Sequence, residues 1–177
     1  MADVLLLGDP RLRLRSNEVE RCEGAELDAL AATLDAFRKR YGFGRAISAP
    51  QIGIGKRFIA VNLGKGTSFI VNPVITWRSE ETFTMWDDCM SFPDLLVRVE
   101  RARSISLEYC DEHGKPRQWR ELDQAAAELL QHEIDHLDGV LAVDRAAGKD
   151  ALIMRAAYDA NREYFDARVD YTIVPTL

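Results

Sequence analysis

The sequence predicts an α+β fold: a single catalytic domain, residues 1–177, of mostly antiparallel sheets with an N-terminal and a C-terminal helix around a metal-binding helix. Two observations carry this expectation. The strand-like runs are joined by hairpin-type turns, and the helical stretches are set apart from them rather than alternating with them. No repeat, low-complexity tract or linker-like stretch divides the chain, which is long enough to bury a core without staples.

In order, Val4 to Leu7 is a short apolar segment ended by the turn signal Gly8-Asp9-Pro10. Leu27, Leu30, Ala31, Leu34, Phe37 and Tyr41 recur at three- and four-residue spacing, so an amphipathic helix is expected from Ala25 to Tyr41, ended by Gly42. The stretch from Gly42 to Gly55 is rich in glycine and small residues and reads as loop, where backbone can approach a ligand closely. Strands are expected at Arg57 to Leu63 and Ser68 to Trp77, joined across Gly64-Lys65-Gly66, with an edge or bulge at Pro73 because proline cannot donate to the ladder. A third strand region, Leu95 to Tyr109, pairs with Gln118 to Leu122 across the turn Asp111 to Lys115, where His113 should meet solvent. The runs Arg11 to Arg15 and Arg98 to Arg103 alternate with apolar residues and read as outward faces of extended segments.

A helix from Asp123, a suitable N-cap, to Asp138 and Gly139 carries two of the three histidines in His132-Glu133-Ile134-Asp135-His136, the H-E-x-x-H pattern of a helix-borne metal site. At about 100° and 1.5 Å per residue, His136 lies ~40° around and ~6 Å along from His132, with Glu133 ~100° away. Measured from His132, Leu129, Leu130, Ile134 and Leu137 fall between ~60° and ~200°, on the inward, apolar side, whereas Gln124, Glu128, Gln131, Asp135 and Asp138 fall between ~240° and ~320°, an arc expected to face outward. A last helix is expected from Lys149 to Phe165, with a short strand at Tyr171 to Val174.

A net charge of −6 argues against a general nucleic-acid or anionic-membrane binder. With no apolar run of membrane length and no signal-peptide pattern, the expected location is cytoplasmic. Cys22, Cys89 and Cys110 cannot all pair with one another, so at least one thiol has another fate. A catalytic site of the zinc type takes about three protein ligands, which leaves one to find beside His132 and His136. Where one metalloprotease pattern has a further histidine this chain has Ala142. Another pattern takes a glutamate from a following helix, for which Glu163 is placed, and the thiol Cys89 in Trp86-Asp87-Asp88-Cys89-Met90-Ser91 is the remaining candidate.

Gly44 to Gln51, Asp87 to Ser91 and His132 to His136 follow, in order, the motifs G-x-G-x-A-A-x-Q, E-G-C-x-S and H-E-x-D-H, so the chain resembles the peptide deformylases over nearly its whole length. The resemblance implies a mixed helix and sheet domain with the metal helix buried at its centre. It implies Cys89, His132 and His136 as ligands of one divalent ion, Fe2+ in the cell and Zn2+ or Ni2+ in isolated protein. Glu133 would be the general acid/base, with Gln51 and the Met90 N–H binding the oxyanion. Gly44, Arg45, Ala46 and Leu129 are expected to contact substrate, the apolar neighbours of Leu129 lining a methionine pocket. The implied substrates are N-formyl-methionyl nascent peptides, met near the ribosome, with no direct nucleic-acid or membrane binding. Ala46 and Ser48 depart from the first motif, Asp87-Asp88 replaces Glu-Gly in the second, and Leu96 stands where the family often has arginine. None removes a ligand, the acid/base or the oxyanion donor; Asp88 would set a carboxylate beside the thiolate. Two alternatives stay open: a metallopeptidase with Glu163 as third ligand, and an inactive relative that binds formylated peptides.

Overall fold

The computed structural model describes residues 2–173. In chain order its elements are α1 (Gly24–Tyr41), β1 (Ala46–Ser48), β2 (Phe58–Asn62), β3 (Thr67–Arg78), β4 (Thr82–Asp88), β5 (Leu95–Ala102), β6 (Ile105–Cys110), β7 (Pro116–Trp119), α2 (Gln124–Leu137), β8 (Leu152–Met154), α3 (Arg155–Ala160) and α4 (Arg162–Asp166). Among the described residues the strands form two sheets, β1-β2-β3-β6-β7 and β4-β5-β8, with every neighbouring pair antiparallel. The α+β expectation holds.

The first sheet is covered on both faces, and β2 shows why its sequence is apolar without a break. Successive strand residues point to opposite faces. Ile59 and Val61 pack towards α2 with Ile105, Leu107, Leu130 and Ile134, while Phe58 and Ala60 pack towards α1 with Leu30, Leu34 and Phe37. The second sheet divides likewise: Met85, Val97 and Val99 face Cys89 and Ala142, and Trp86 and Leu96 face Tyr158 and Phe165. The bulge expected at Pro73 is present, as a register shift between Val71 and Val74 with Asn72 at φ 49°.

Helix α2 lies between the first sheet and β5, and every residue from Ala126 to Leu137 is buried. That overturns the outward reading of Glu128, Gln131 and Asp135, whereas Asp138, just past the helix, is exposed as expected. Gln131 exchanges hydrogen bonds with the Ala102 backbone, Asp135 accepts from Arg101 and Arg145, and Glu128 pairs with Arg45. Arg101 is correspondingly buried, against the outward reading of Arg98 to Arg103, whereas Arg11, Arg13 and Arg15 do face solvent, the first two from a 3-10 turn rather than an extended segment.

Four further expectations are corrected. The loop after Gly42 contains β1, a strand too short to show alternation, and a 3-10 turn over Ala49–Ile52. Strand β4 was not expected. The region Leu95 to Tyr109 splits at Arg103-Ser104 into β5 and β6, which belong to different sheets. The helix expected from Lys149 to Phe165 is instead β8, α3 and α4, broken at Asn161 (φ −138°, ψ 41°); the apolar pair Leu152-Ile153 that suggested helix sits across from Val97 and Leu96. Tyr171 makes an isolated parallel bridge to Met85, and Val174 lies outside the described residues.

Candidate metal centre

The centre is fixed first by the ends of α2. Asp123 caps its N-terminus by accepting the Ala126 N–H at 2.9 Å. After its last turn, Gly139 takes φ +73°, and a Cβ there would stand 2.5 Å from the Arg13 carbonyl oxygen, so only glycine lets the N-terminal segment cross so closely.

One turn apart on this helix, His132 and His136 meet edge to face, with Nε2 to Nε2 at 3.2 Å. Cys89, just beyond β4, brings its Sγ to 3.3 Å from His136 Nε2. All three are buried, and they are the one Cys/His/Asp/Glu group of ligand geometry found among the described residues. A tetrahedral ion with metal–nitrogen near 2.0–2.1 Å and metal–sulfur near 2.3 Å requires separations of about 3.3 Å and about 3.6 Å. The donor set fits such an ion. Glu163 lies exposed on α4, and Cys22 and Cys110 are half-buried beside the α1 core, so none of these joins the group.

Around the ligands the side chains are held from behind. His132 Nδ1 lies 3.0 Å from Asp87 Oδ2, which also accepts from Arg101 Nη2 at 2.7 Å. Carboxylate on Nδ1 keeps that nitrogen protonated and directs the Nε2 lone pair at the centre. Burial opposes a charge on His132, but the Asp87 carboxylate outweighs it and holds the imidazole well above its ordinary pKa. His136 is pushed well below, by burial and then by the charge on His132. Burial pushes the Cys89 thiol up, so an ion is what would keep this sulfur a thiolate.

Glu133 stands on the same flank, and burial raises its carboxyl above the ordinary value. Ser48 Oγ lies 2.5 Å from Glu133 Oε2 and 2.8 Å from the Glu133 carbonyl oxygen, fixing the carboxylate from β1. Gln51 accepts the Ser48 N–H at Oε1, 2.9 Å, so its Nε2 is the end that turns to Ser91 Oγ (3.2 Å) and Cys89 Sγ (3.6 Å). Buried Met90 follows Cys89, and its Cε would stand 2.5 Å from any Cβ at Gly44. The centre opens on a cavity of about 270 Å³ that Gly44, Arg45, Ala46, Gln51, Leu129 and Glu133 help to line, with Trp86, Tyr158 and Tyr171 on its far wall.

A sequence model described as polypeptide deformylase matches residues 1–151. The chain belongs to the peptide deformylase family. A peptide deformylase of Thermotoga sp. (strain RQ2) is 33% identical over 155 residues, covering 88% of this chain and 93% of the relative, and one of Synechocystis sp. (strain PCC 6803) is 34% identical over 144 residues, covering 78% and 75%. The crystal structure of peptide deformylase from Thermotoga maritima superposes with a TM-score of 0.76 at 32% identity, covering 84% of this chain and 99% of that one. That of the Synechococcus elongatus enzyme in complex with actinonin gives 0.76 at 31% identity, over 84% and 80%.

Within this deformylase fold the motif departures acquire definite surroundings. Ser48 replaces a methyl group with the hydroxyl that holds Glu133. Asp87 is the carboxylate behind His132, and Asp88 lines the cavity with its charge paired to Arg155 Nη2 at 3.2 Å. Leu96 is buried against Trp86 and Tyr158. Sequence reasoning missed Glu128, which also lines the cavity; its place one turn before His132 was the available signal.

Proposed function

We propose that this deformylase-family chain is an active peptide deformylase, hydrolysing the formyl amide of N-formyl-methionyl peptides to formate and a free amino terminus. The observation that carries the proposal is the convergence of Cys89, His132 and His136 beside Glu133 and the Nε2 of Gln51. Cys89, His132 and His136 would hold one divalent ion, which when bound polarises the formyl carbonyl and lowers the pKa of water. Glu133, its Oε2 held by Ser48, takes the proton of the attacking water, and its burial-raised pKa suits it to give that proton to the departing amine. Gln51 Nε2 and the Met90 N–H donate to the oxygen that gains negative charge as the formyl carbon becomes tetrahedral. A neutral amide does this without competing for the ion. Gly44, Ala46 and Leu129 form the wall along which the peptide lies.

Fe2+ is the proposed ion in the cell, with Zn2+ or Ni2+ able to replace it, since thiolate and imidazole suit all three. The proposed setting is the cytoplasm, near ribosomes that supply formylated chains; no helix among the described residues is long and apolar enough to cross a membrane. The described elements support one catalytic unit, because α2 takes its core from one sheet and its ion-pair partner from the other. A metallopeptidase that uses Glu163 finds no support in that residue's exposed position on α4.

Glu133→Ala tests the acid/base role. With metal content unchanged, formate release from formyl-Met-Ala-Ser is expected to fall about 100-fold or more, the span general acid–base catalysis supplies. Equal release by the two proteins, or none by either, would favour the idle, peptide-binding alternative.

A further inference from the structure

A second pair of buried charges borders the same cavity, away from the ligands. Glu128 lies one helical turn before His132, on the same flank of α2. Arg45 immediately precedes β1, whose Ser48 reaches Glu133, so the strand runs beside the helix and brings Arg45 to Glu128 and to the Ala125 carbonyl oxygen at 3.1 Å. Their side chains are 10% and 2% exposed, and both residues line the cavity. Arg45 occupies Glu128 Oε1, and among the described residues no partner is found for the other oxygen.

Such a pair is a poor stabilising device, because desolvating two charges offsets most of their attraction and apolar replacements of similar volume are often neutral or better. Its position gives it another use. When the formyl carbon lies between Glu133 and Gln51, the side chain of the formylated residue has the reach of about one helical turn, some 5.4 Å along α2. That is the distance from His132 back to Glu128 and Leu129.

Resting on the proposed deformylase activity, we infer that Arg45 and Glu128 form the end wall of the subsite for the formylated residue's side chain. They adapt that subsite to an unbranched polar side chain of methionine's length, of which glutamine is the simplest case. Leu129 packs along the methylenes and the Glu128 carboxylate accepts from the terminal amide, a bond neither a thioether nor an alkyl chain can make. An apolar end wall would instead reject the amide by about 10- to 100-fold, the penalty of burying it unpaired.

The test compares kcat/KM for formyl-Gln-Ala-Ser and formyl-norleucyl-Ala-Ser on the Ni2+-loaded protein and on the Arg45→Met, Glu128→Leu double variant. The wild type is expected to use the glutamine peptide at least as well as the norleucine one, and the double variant to lower that ratio tenfold or more. A wild-type preference for norleucine of tenfold or more overturns the inference without recourse to the variant, and so does an equal ratio in the two proteins. If neither protein releases formate from either peptide, the deformylase activity itself fails. The dissociation constants of the same uncleaved peptides then decide the subsite by the same ratio.

Discussion

Asp87 faces two donors at once, the His132 ring Nδ1 at 3.0 Å and the Arg101 guanidinium at 2.7 Å, in a site with almost no solvent. Burial alone would raise its pKa, but the two partners outweigh it and hold the carboxyl well below the usual range. Asp87→Asn retains the shape and removes the charge that orients His132, so metal affinity is expected to fall about 10- to 100-fold in chelator competition, as when such supporting partners are lost elsewhere. An unchanged affinity would mean the helix alone orients the ring. Tyr158, across the cavity, gives a pH dependence. Burial, then its 2.6 Å hydrogen bond to Asp166, pushes the phenol up from 10.0 to about 12. Above pH 10 the unfolded chain loses this proton while the folded protein retains it, so stability should decline between pH 10 and about 12. Denaturation of Tyr158→Phe over that range should show a shallower decline; parallel curves would remove the phenol from the account.

Helix α2 and strand β5 depend on each other through Arg101, which bonds Asp87 and Asp135 together. Replacing it by methionine leaves the buried Asp87 carboxylate with only the His132 ring beside it, while Asp135 keeps Arg145 at 2.6 Å, and the expected loss is about 3–5 kcal/mol in urea denaturation. Arg103, just past β5 and exposed, pairs with Glu81, and Arg103→Ala is expected to cost under about 1 kcal/mol. Equal losses would mean that Arg101 contributes only as a surface ion pair would. Much of α2 was legible beforehand, because the spacing of His132 and His136, the Asp123 cap and Gly139 are local facts. Its buried polar arc was not, since Arg45, just before β1, and Arg101 and the Ala102 backbone, in β5, lie far away in sequence from the Glu128, Asp135 and Gln131 side chains they satisfy. Strand β4 escaped notice because its alternation is short: Thr82-Phe83-Thr84-Met85 alternates, with Phe83 and Met85 on one face, but Trp86 packs on the other face and ends the pattern. In the segment from Lys149 to Phe165, helical spacing was real over α3, but pairing to β5 captured its beginning as β8.

At the scale of the molecule, each sheet delivers part of one centre. The first contributes Arg45 just before β1, Ser48 at its end and Gln51 in the turn after it; the second contributes Asp87 and Asp88 at the end of β4 and Cys89 just beyond; and α2, between them, contributes His132, Glu133 and His136. The C-terminal elements finish the far wall through Trp86, whose indole donates to the Phe165 carbonyl oxygen at 2.9 Å, and through Tyr171 beside Met85. The central claim is that the thiol of Cys89 completes a metal centre that hydrolyses formyl-methionyl peptides. It is tested most directly by measuring, anaerobically and on the same samples, bound iron and formate released from formyl-Met-Ala-Ser for the wild type, Cys89→Ala and Glu163→Ala. The account predicts about one iron and steady formate release for the wild type and Glu163→Ala, with both lost in Cys89→Ala. Full iron and activity in Cys89→Ala, with loss of both in Glu163→Ala, would contradict it.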